Sequence, residues 1–177
     1  MRLLSKVISL FLLFLIVLVL FLPKEQLFIK FVNQLYKEHI YLKDYKYSDE
    51  LFTSNISNMT INYDGINIAK ISNSRFDMFL VYNNIDINNI SLDESLNAFV
   101  PSNIKNININ YSILDPLYVN ASVLSKLYSI KIQFDIVNLK LNAKFKTSKF
   151  FRKKYKKLLR ELNYDKTIKD YTYEHKL

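Results

Sequence analysis

Nine basic residues and no acidic one lie between Lys144 and Arg160: Lys144, Lys146, Lys149, Arg152, Lys153, Lys154, Lys156, Lys157 and Arg160. Of the 25 Lys and Arg in the chain, the other 16 are matched by 16 Asp and Glu, so this one segment carries the whole net charge of +9. A cationic run of this density attracts phosphate-bearing lipid head groups, nucleic acid or an acidic protein surface. Within it Phe151, Tyr155, Leu158, Leu159 and Leu162 recur at i, i+4, i+7, i+8 and i+11. That spacing predicts a helix over about 147–162, with an apolar stripe beneath a cationic face. Three uses of the face stay open. It is the solvated side of a helix packed on the body, or a contact for anionic lipid, where each base near the surface is worth about 1 kcal/mol. The third use is a contact for an acidic partner or for DNA. The candidate contact residues are Lys149, Arg152, Lys153, Lys154, Lys156, Lys157 and Arg160.

Little other chemistry is available to this chain. Glycine occurs once, at Gly65, and the phosphate-cradling and nucleophile-elbow motifs each need at least two. Cysteine is absent, which removes disulfides, thiolate metal sites and cysteine nucleophiles. The only histidines are His39 and His175, too few for a histidine-rich metal site; His39 reads as a helix-end dipole partner and His175 as a solvated tail residue. The carboxylate pairs Asp49-Glu50 and Asp93-Glu94 are adjacent in sequence and suit solvated or capping positions. The expectation is a non-enzymatic protein with no catalytic residues, no metal and no cofactor.

The elements around the basic segment begin with an apolar head. Val7–Leu22 contains one polar residue, Ser9, and no charge, and follows Arg2 and Lys6. It reads as an uncleaved signal anchor, since the run leaves through Phe21-Leu22-Pro23-Lys24-Glu25 with no small residue for cleavage. The expected plan is a cytoplasmic segment 1–6, a membrane span 7–22, and a juxtamembrane helix 23–40. A β-rich domain then fills 41–177, on the periplasmic side of the inner membrane. Leu27, Phe28, Phe31, Val32, Leu35 and Tyr36 give the juxtamembrane helix a single apolar stripe.

Beyond Asn55 the apolar period falls to two. Ile61 and Tyr63, then Ile66 and Ile68, flank Asp64-Gly65, a hairpin signal in which the lone glycine supplies a positive φ. Further runs are Phe76-Met78-Leu80, Ile85-Ile87 near Ile90, Ile107 to Ile113, Leu117 to Val123, Ile130 to Ile136 and Leu139 to Phe145. The phase slip at Val137-Asn138 marks a bulge or tight turn. Ser91 to Phe99 breaks the alternation as a short helix, with Ser91 and Glu94 as a capping box and Pro101 as its stop. After Asn163 the chain returns through Ile168 to a closing strand at Tyr171-Thr172-Tyr173. The fold class expected is α+β, mainly antiparallel β, as a folded-over sheet or half-open β-sandwich.

This order of parts resembles the N protein of the type II secretion pathway. The resemblance lies in the single span leaving through Phe-Leu-Pro-Lys-Glu, the YDGINIAKI hairpin, the run FVPSNIKNININYSILDPLYVNASV, and a basic helix leading to Tyr-Thr-Tyr-Glu. The low-glycine features look closest to CtsX-like membrane proteins of Campylobacter-type natural-transformation systems for DNA uptake. The stretch VLSKLYSIKIQFDIVNLKL departs from the glycine-rich pattern of the larger family. The resemblance implies a bitopic inner-membrane component of an envelope assembly, acting by contact with other membrane components of that machinery. The alternative is a lipid-carrier module resembling the lipopolysaccharide-export protein C or AsmA-like proteins. The two differ in the sheet interior: a carrier leaves an apolar groove reachable from Ile132 or Phe134, an assembly component fills it with its own side chains.

Overall fold

A computed structural model describes residues 2–21, 23–79, 81–167 and 169–176; for 2–4, 12, 18–20, 97 and 98 it describes the backbone alone. Leu80 and Ile168 of the expected strands lie outside these residues.

Two helices open the chain, α1 (Arg2–Leu20) and α2 (Lys24–Lys37). Pro23 precedes α2, where its missing N–H costs no helical bond, and its carbonyl accepts from Leu27 N at 3.0 Å. Described side chains of α1 from Ser5 to Val17 are exposed, except for half-buried Leu15. Among the described residues no helix is long and apolar enough to cross a membrane. The 19 residues of α1 reach roughly 28 Å at 1.5 Å each, just under a ~30 Å hydrocarbon core. The expected span over 7–22 is not shown among the described residues, and Leu22 and the side chains of Leu12, Leu18, Val19 and Leu20 lie outside what is described.

The body is mostly antiparallel β. Its strands are β1 (Ile40–Lys43), β2 (Lys46–Asp49), β3 (Thr53–Tyr63), β4 (Ile66–Met78), β5 (Tyr82–Leu92), β6 (Asn103–Ser112), β7 (Tyr118–Leu124), β8 (Tyr128–Asp135), β9 (Lys140–Thr147), β10 (Asn163–Asp165) and β11 (Asp170–Lys176). All eleven join one sheet in the order β1-β3-β4-β5-β6-β7-β8-β9-β11-β10, with β2 beside β1 on the outer edge of β3. The Asp64-Gly65 hairpin forms as expected: φ is 47° and 88°, and Gly65 N donates to Asn62 Oδ1 at 2.9 Å. The slip at Val137-Asn138 is the turn between β8 and β9, where Asp135 accepts from both of those backbone N–H groups.

Two expected helices change form. The segment 91–99 is a single 3-10 turn, Glu94–Ala98, capped by Asp93 and not by Ser91, because Ser91 pairs with Asn103 inside the sheet. The basic helix is broken at Tyr155 (φ −106°, ψ 38°) into α3 (Lys149–Lys154) and α4 (Lys156–Leu159). One straight helix would stack Lys149, Lys153 and Lys157, and likewise Arg152, Lys156 and Arg160, at repulsive i, i+4 spacing with no acid between them.

Register places the apolar positions of the strands on one face. Two helical layers cover parts of it. Beneath α2, Val32 packs with Leu42, Ile56, Met59, Ala69, Ile71 and Ile90. Beneath α3 and α4, Phe151, Tyr155 and Leu159 pack with Tyr128, Val123, Ile130 and Tyr171. The inward alternation skips one place along a row crossing four strands. Ile56 and Met59, Ile71 and Ser74, Ile87 and Ile90, and Ile104 and Ile107 all face the first core although each pair is three apart. Asn58 (φ 56°) and Asn89 (φ 54°) adopt the left-handed region in that row, the conformation Asn tolerates best after Gly.

The opposite face is a polar ladder. Asn106 Nδ2 donates to Asp86 Oδ1 (2.7 Å) and Asn88 Oδ1 (3.0 Å), Asn108 to Asn84 (2.7 Å), and Asn110 to Asn108 (3.1 Å). Arg75 and Thr53 both donate to Asp77 at 2.8 Å.

A candidate lipid-facing groove and a basic helical pair

Between the two helical layers part of the apolar face is left open. The row Ile85–Ile109–Ala121–Ile132 is continuous in register across β5 to β8, and beside it runs Tyr111–Val119–Phe134–Leu141 across β6 to β9. All of these side chains are half-buried and belong to neither core. Alternation alone put them on one face; they stay part-exposed because α2 and the α3–α4 pair end before reaching them.

At its β4 end this strip meets a cavity. Phe76 pairs with Ile85 and Met78 with Asn83 in register. Both line a pocket of about 170 Å³ with Leu27, Phe28, Phe31, Tyr47 and Ile56, walls that are overwhelmingly apolar. Phe28 stacks on Tyr47 at 5.2 Å and meets Tyr45 edge-on at 5.5 Å, which holds α2 against the sheet edge. One charge sits in the wall: Lys24, 4% exposed, whose ammonium donates to Asp49 Oδ1 at 2.8 Å and to the Glu50 carbonyl. Ser54 Oγ donates to the same Asp49 oxygen at 3.0 Å, and Tyr47 OH donates to Ser54 Oγ at 3.2 Å. Asp49, expected in a solvated or capping position, is exposed at 38%, but its pairing with Lys24 was not expected; the available signal was a lysine one residue past the apolar run, on a helix whose stripe must be buried.

The nine basic residues are not brought together. Lys144 and Lys146 alternate with Phe145 on β9 and so project to the polar face, where Lys144 lies opposite Lys131. The other seven are on or beside α3 and α4. Lys149, Lys153, Lys154, Lys156, Lys157 and Arg160 are exposed. Arg152 is engaged within the fold: Nε donates to Thr147 Oγ1 (2.9 Å) and Nη2 to the Lys169 carbonyl (3.0 Å) and Asp170 (3.3 Å). Its guanidinium also lies over Tyr171 (5.7 Å) and Tyr164 (6.0 Å). Lys154 is drawn over the Tyr155 ring at 5.2 Å. A patch of exposed Phe99 and Leu158 adjoins Lys154 and Lys157, so the cationic surface has an apolar margin.

Shifted acids are structural. Burial pushes the Asp77 carboxyl up, but the hydrogen bonds from Arg75 and Thr53 outweigh it and hold the group below the usual range. Asp135 is lowered by the side chain and backbone of Asn138, and Asp93 by Ser95. Burial raises the Tyr128 hydroxyl. Among the described residues no cluster of three or more His, Cys, Asp or Glu could hold a metal ion.

His39 Nδ1 lies 3.3 Å from Asp64 Oδ1 at the far end of α2, and His175 stacks beside Tyr173. Comparison with family models, with curated proteins and with solved structures finds no match.

Proposed function

We propose that this chain is a non-enzymatic, membrane-tethered carrier whose open sheet face holds lipid acyl chains. The observation that carries the reading is the strip from Ile85, whose register partner Phe76 lines the cavity under α2, to Ile132 and Phe134, which belongs to neither helix-covered core. The apolar area these half-buried rows still show to water is costly, at about 25 cal/mol per Å², and an acyl chain laid along them removes that cost. The exposed apolar side chains of α1 support a tether in a bilayer. The charge of Arg2 and Lys6 at the N-terminal end of α1 supports a cytoplasmic N-terminus, with the sheet domain on the periplasmic side of the inner membrane.

A photoreactive residue at Ile132 or Phe134 in the membrane-bound full chain should form lipid adducts, while one at Gln133, on the polar face between them, should not. Absence of adducts at 132 and 134, or equal yield at 133, overturns the carrier reading.

The second reading is a contact component of a type II secretion or natural-transformation assembly. It is favoured by the exposed lysines of α3 and α4, free to meet an acidic partner, DNA or anionic head groups. Protein adducts in place of lipid at Ile132 and Phe134 would support it.

A further inference from the structure

The two ends of the strands differ in chemistry. At one end lie the connections 50–52, 79–81, 113–117 and 136–139, neighbours through backbone bonds from Met78 N to Phe52 O (2.8 Å), Ile113 N to Val81 O (3.0 Å) and Ile136 N to Leu117 O (2.9 Å). Each exposes large apolar side chains: Leu51; Phe79 and Val81; Leu114 and Leu117; Val137. Leu114 is 87% exposed. Connections between strands are normally built of Gly, Asn, Asp and Ser, and four apolar tips in a row are a liability in water.

The other end turns through polar residues, Asp64-Gly65, Asp93 to Ser95, Ser125-Lys126 and Ser148-Lys149, with Tyr63, Ile66, Phe99, Leu124 and Phe150 as the exposed large apolar or aromatic side chains beside them. The apolar end is also where α1 arrives. Phe21 is exposed, and three residues later Lys24 is bound to Asp49 and the Glu50 carbonyl, next in sequence to Leu51. Leu51, the Phe52–Phe79 stack (5.2 Å) and the other tips therefore lie at the level of the α1 exit. Tyr82 and Tyr118 stand one residue behind them at the starts of β5 and β7, and Tyr111 two residues behind on β6, the residue type that favours a bilayer's polar boundary.

We propose that these four tips are a second membrane contact, resting in the head-group boundary of the bilayer that α1 enters. Glu50 and Asp115 among the tips limit insertion to that boundary. The strands then stand away from the surface, the cavity lined by Lys24, Phe76 and Met78 opens beside the lipid, and α3 and α4 are carried to the far end. The proposal rests on α1 being membrane-embedded, but not on the sheet carrying lipid.

Because the chain has no cysteine, single labels are unambiguous. Leu114→Cys and Val137→Cys, each carrying an environment-sensitive fluorophore, would be compared with Lys126→Cys at the opposite end. The full-length protein is reconstituted in vesicles of phosphatidylcholine and phosphatidylglycerol, with its retention checked by carbonate wash. The expected result is blue-shifted emission at 114 and 137 and several-fold slower quenching by aqueous iodide than at 126. Equal quenching at all three positions in washed, retained protein overturns the docking, whatever Ile132 and Phe134 crosslink to. Loss of the protein on washing overturns its α1 premise.

Discussion

The pair Lys24–Asp49 supports a test in which the two partners behave unequally. The Lys24 side chain is 4% exposed and that of Asp49 is 38% exposed. In Lys24→Met, an apolar chain of similar length enters an apolar wall, while Asp49 remains in contact with water and keeps the Ser54 hydroxyl at 3.0 Å. The loss is that of a part-exposed pair, about 1 kcal/mol or less. In Asp49→Ala the ammonium stays buried with only the Glu50 carbonyl. Removing one partner of a wholly buried pair costs about 3–5 kcal/mol, and the solvent reaching Asp49 lowers this to about 2 kcal/mol. At about 2–4 °C per kcal/mol for a chain of this size, Asp49→Ala should melt about 4–8 °C below the parent, and Lys24→Met within about 4 °C of it. The double variant should return to within about 1 kcal/mol of Lys24→Met, since no unpaired charge remains. Far-UV circular dichroism on detergent-solubilised full-length protein reads all four melts. Lys24→Met melting lower than Asp49→Ala, or a double variant as weak as Asp49→Ala, refutes the reasoning.

Reversing Lys153, Lys154, Lys156 and Lys157 to Glu should leave the melting temperature nearly unchanged, because all four are exposed. Arg152→Ala should cost about 1–2 kcal/mol through the lost bonds to Thr147, Lys169 and Asp170, read in the same melts. Because Asp77, Asp93 and Asp135 are held below their ordinary values, their ionised forms favour the folded state. Their contribution is complete above the unfolded value of about 4 and is lost as pH falls through the lower folded values. Tyr128 is raised, so its contribution disappears as pH rises from about 10. Urea midpoints measured from pH 2 to 11 should therefore fall at both extremes; a midpoint that rises below pH 4 would contradict the carboxylate assignments.

Most strands were legible because their apolar residues alternate over much of their length, and Asp64-Gly65 marked its own turn. What alternation could not show was the left-handed row at Asn58 and Asn89, since nothing in Asn itself separates a bulge from a ladder position. Nor could it show that all eleven strands join one sheet, since alternation with one wet side fits a folded-over sheet and a half-open sandwich alike. The basic segment was legible as amphipathic but not as broken, because a stripe of Phe151, Tyr155 and Leu159 looks the same on one helix or two. Arg152 counted as one more surface base until Asp170, seventeen residues beyond Lys153, was brought beside it. The groove needed the helices placed: every residue in it was already assigned to an apolar face, and its exposure depends on where α2 and α3–α4 stop.

Every strand from β4 to β8 is bonded only to its neighbours in sequence, and the departures lie at the two ends, where β3 pairs with β1 as well as with β2 and where β11 is slotted between β9 and β10. Such a body grows by adding hairpins and not by rearranging a centre, as stacked repeats do. Inserting one hairpin between β6 and β7 would lengthen the lateral reach by about two strand spacings, roughly 10 Å, while Ile104 and Ile107 stay in the core under α2 and Val123 in the core under α3 and α4. Distance spanned is thus an adjustable property of this architecture, set by a count of hairpins, while the chemistry at its two extremities stays fixed.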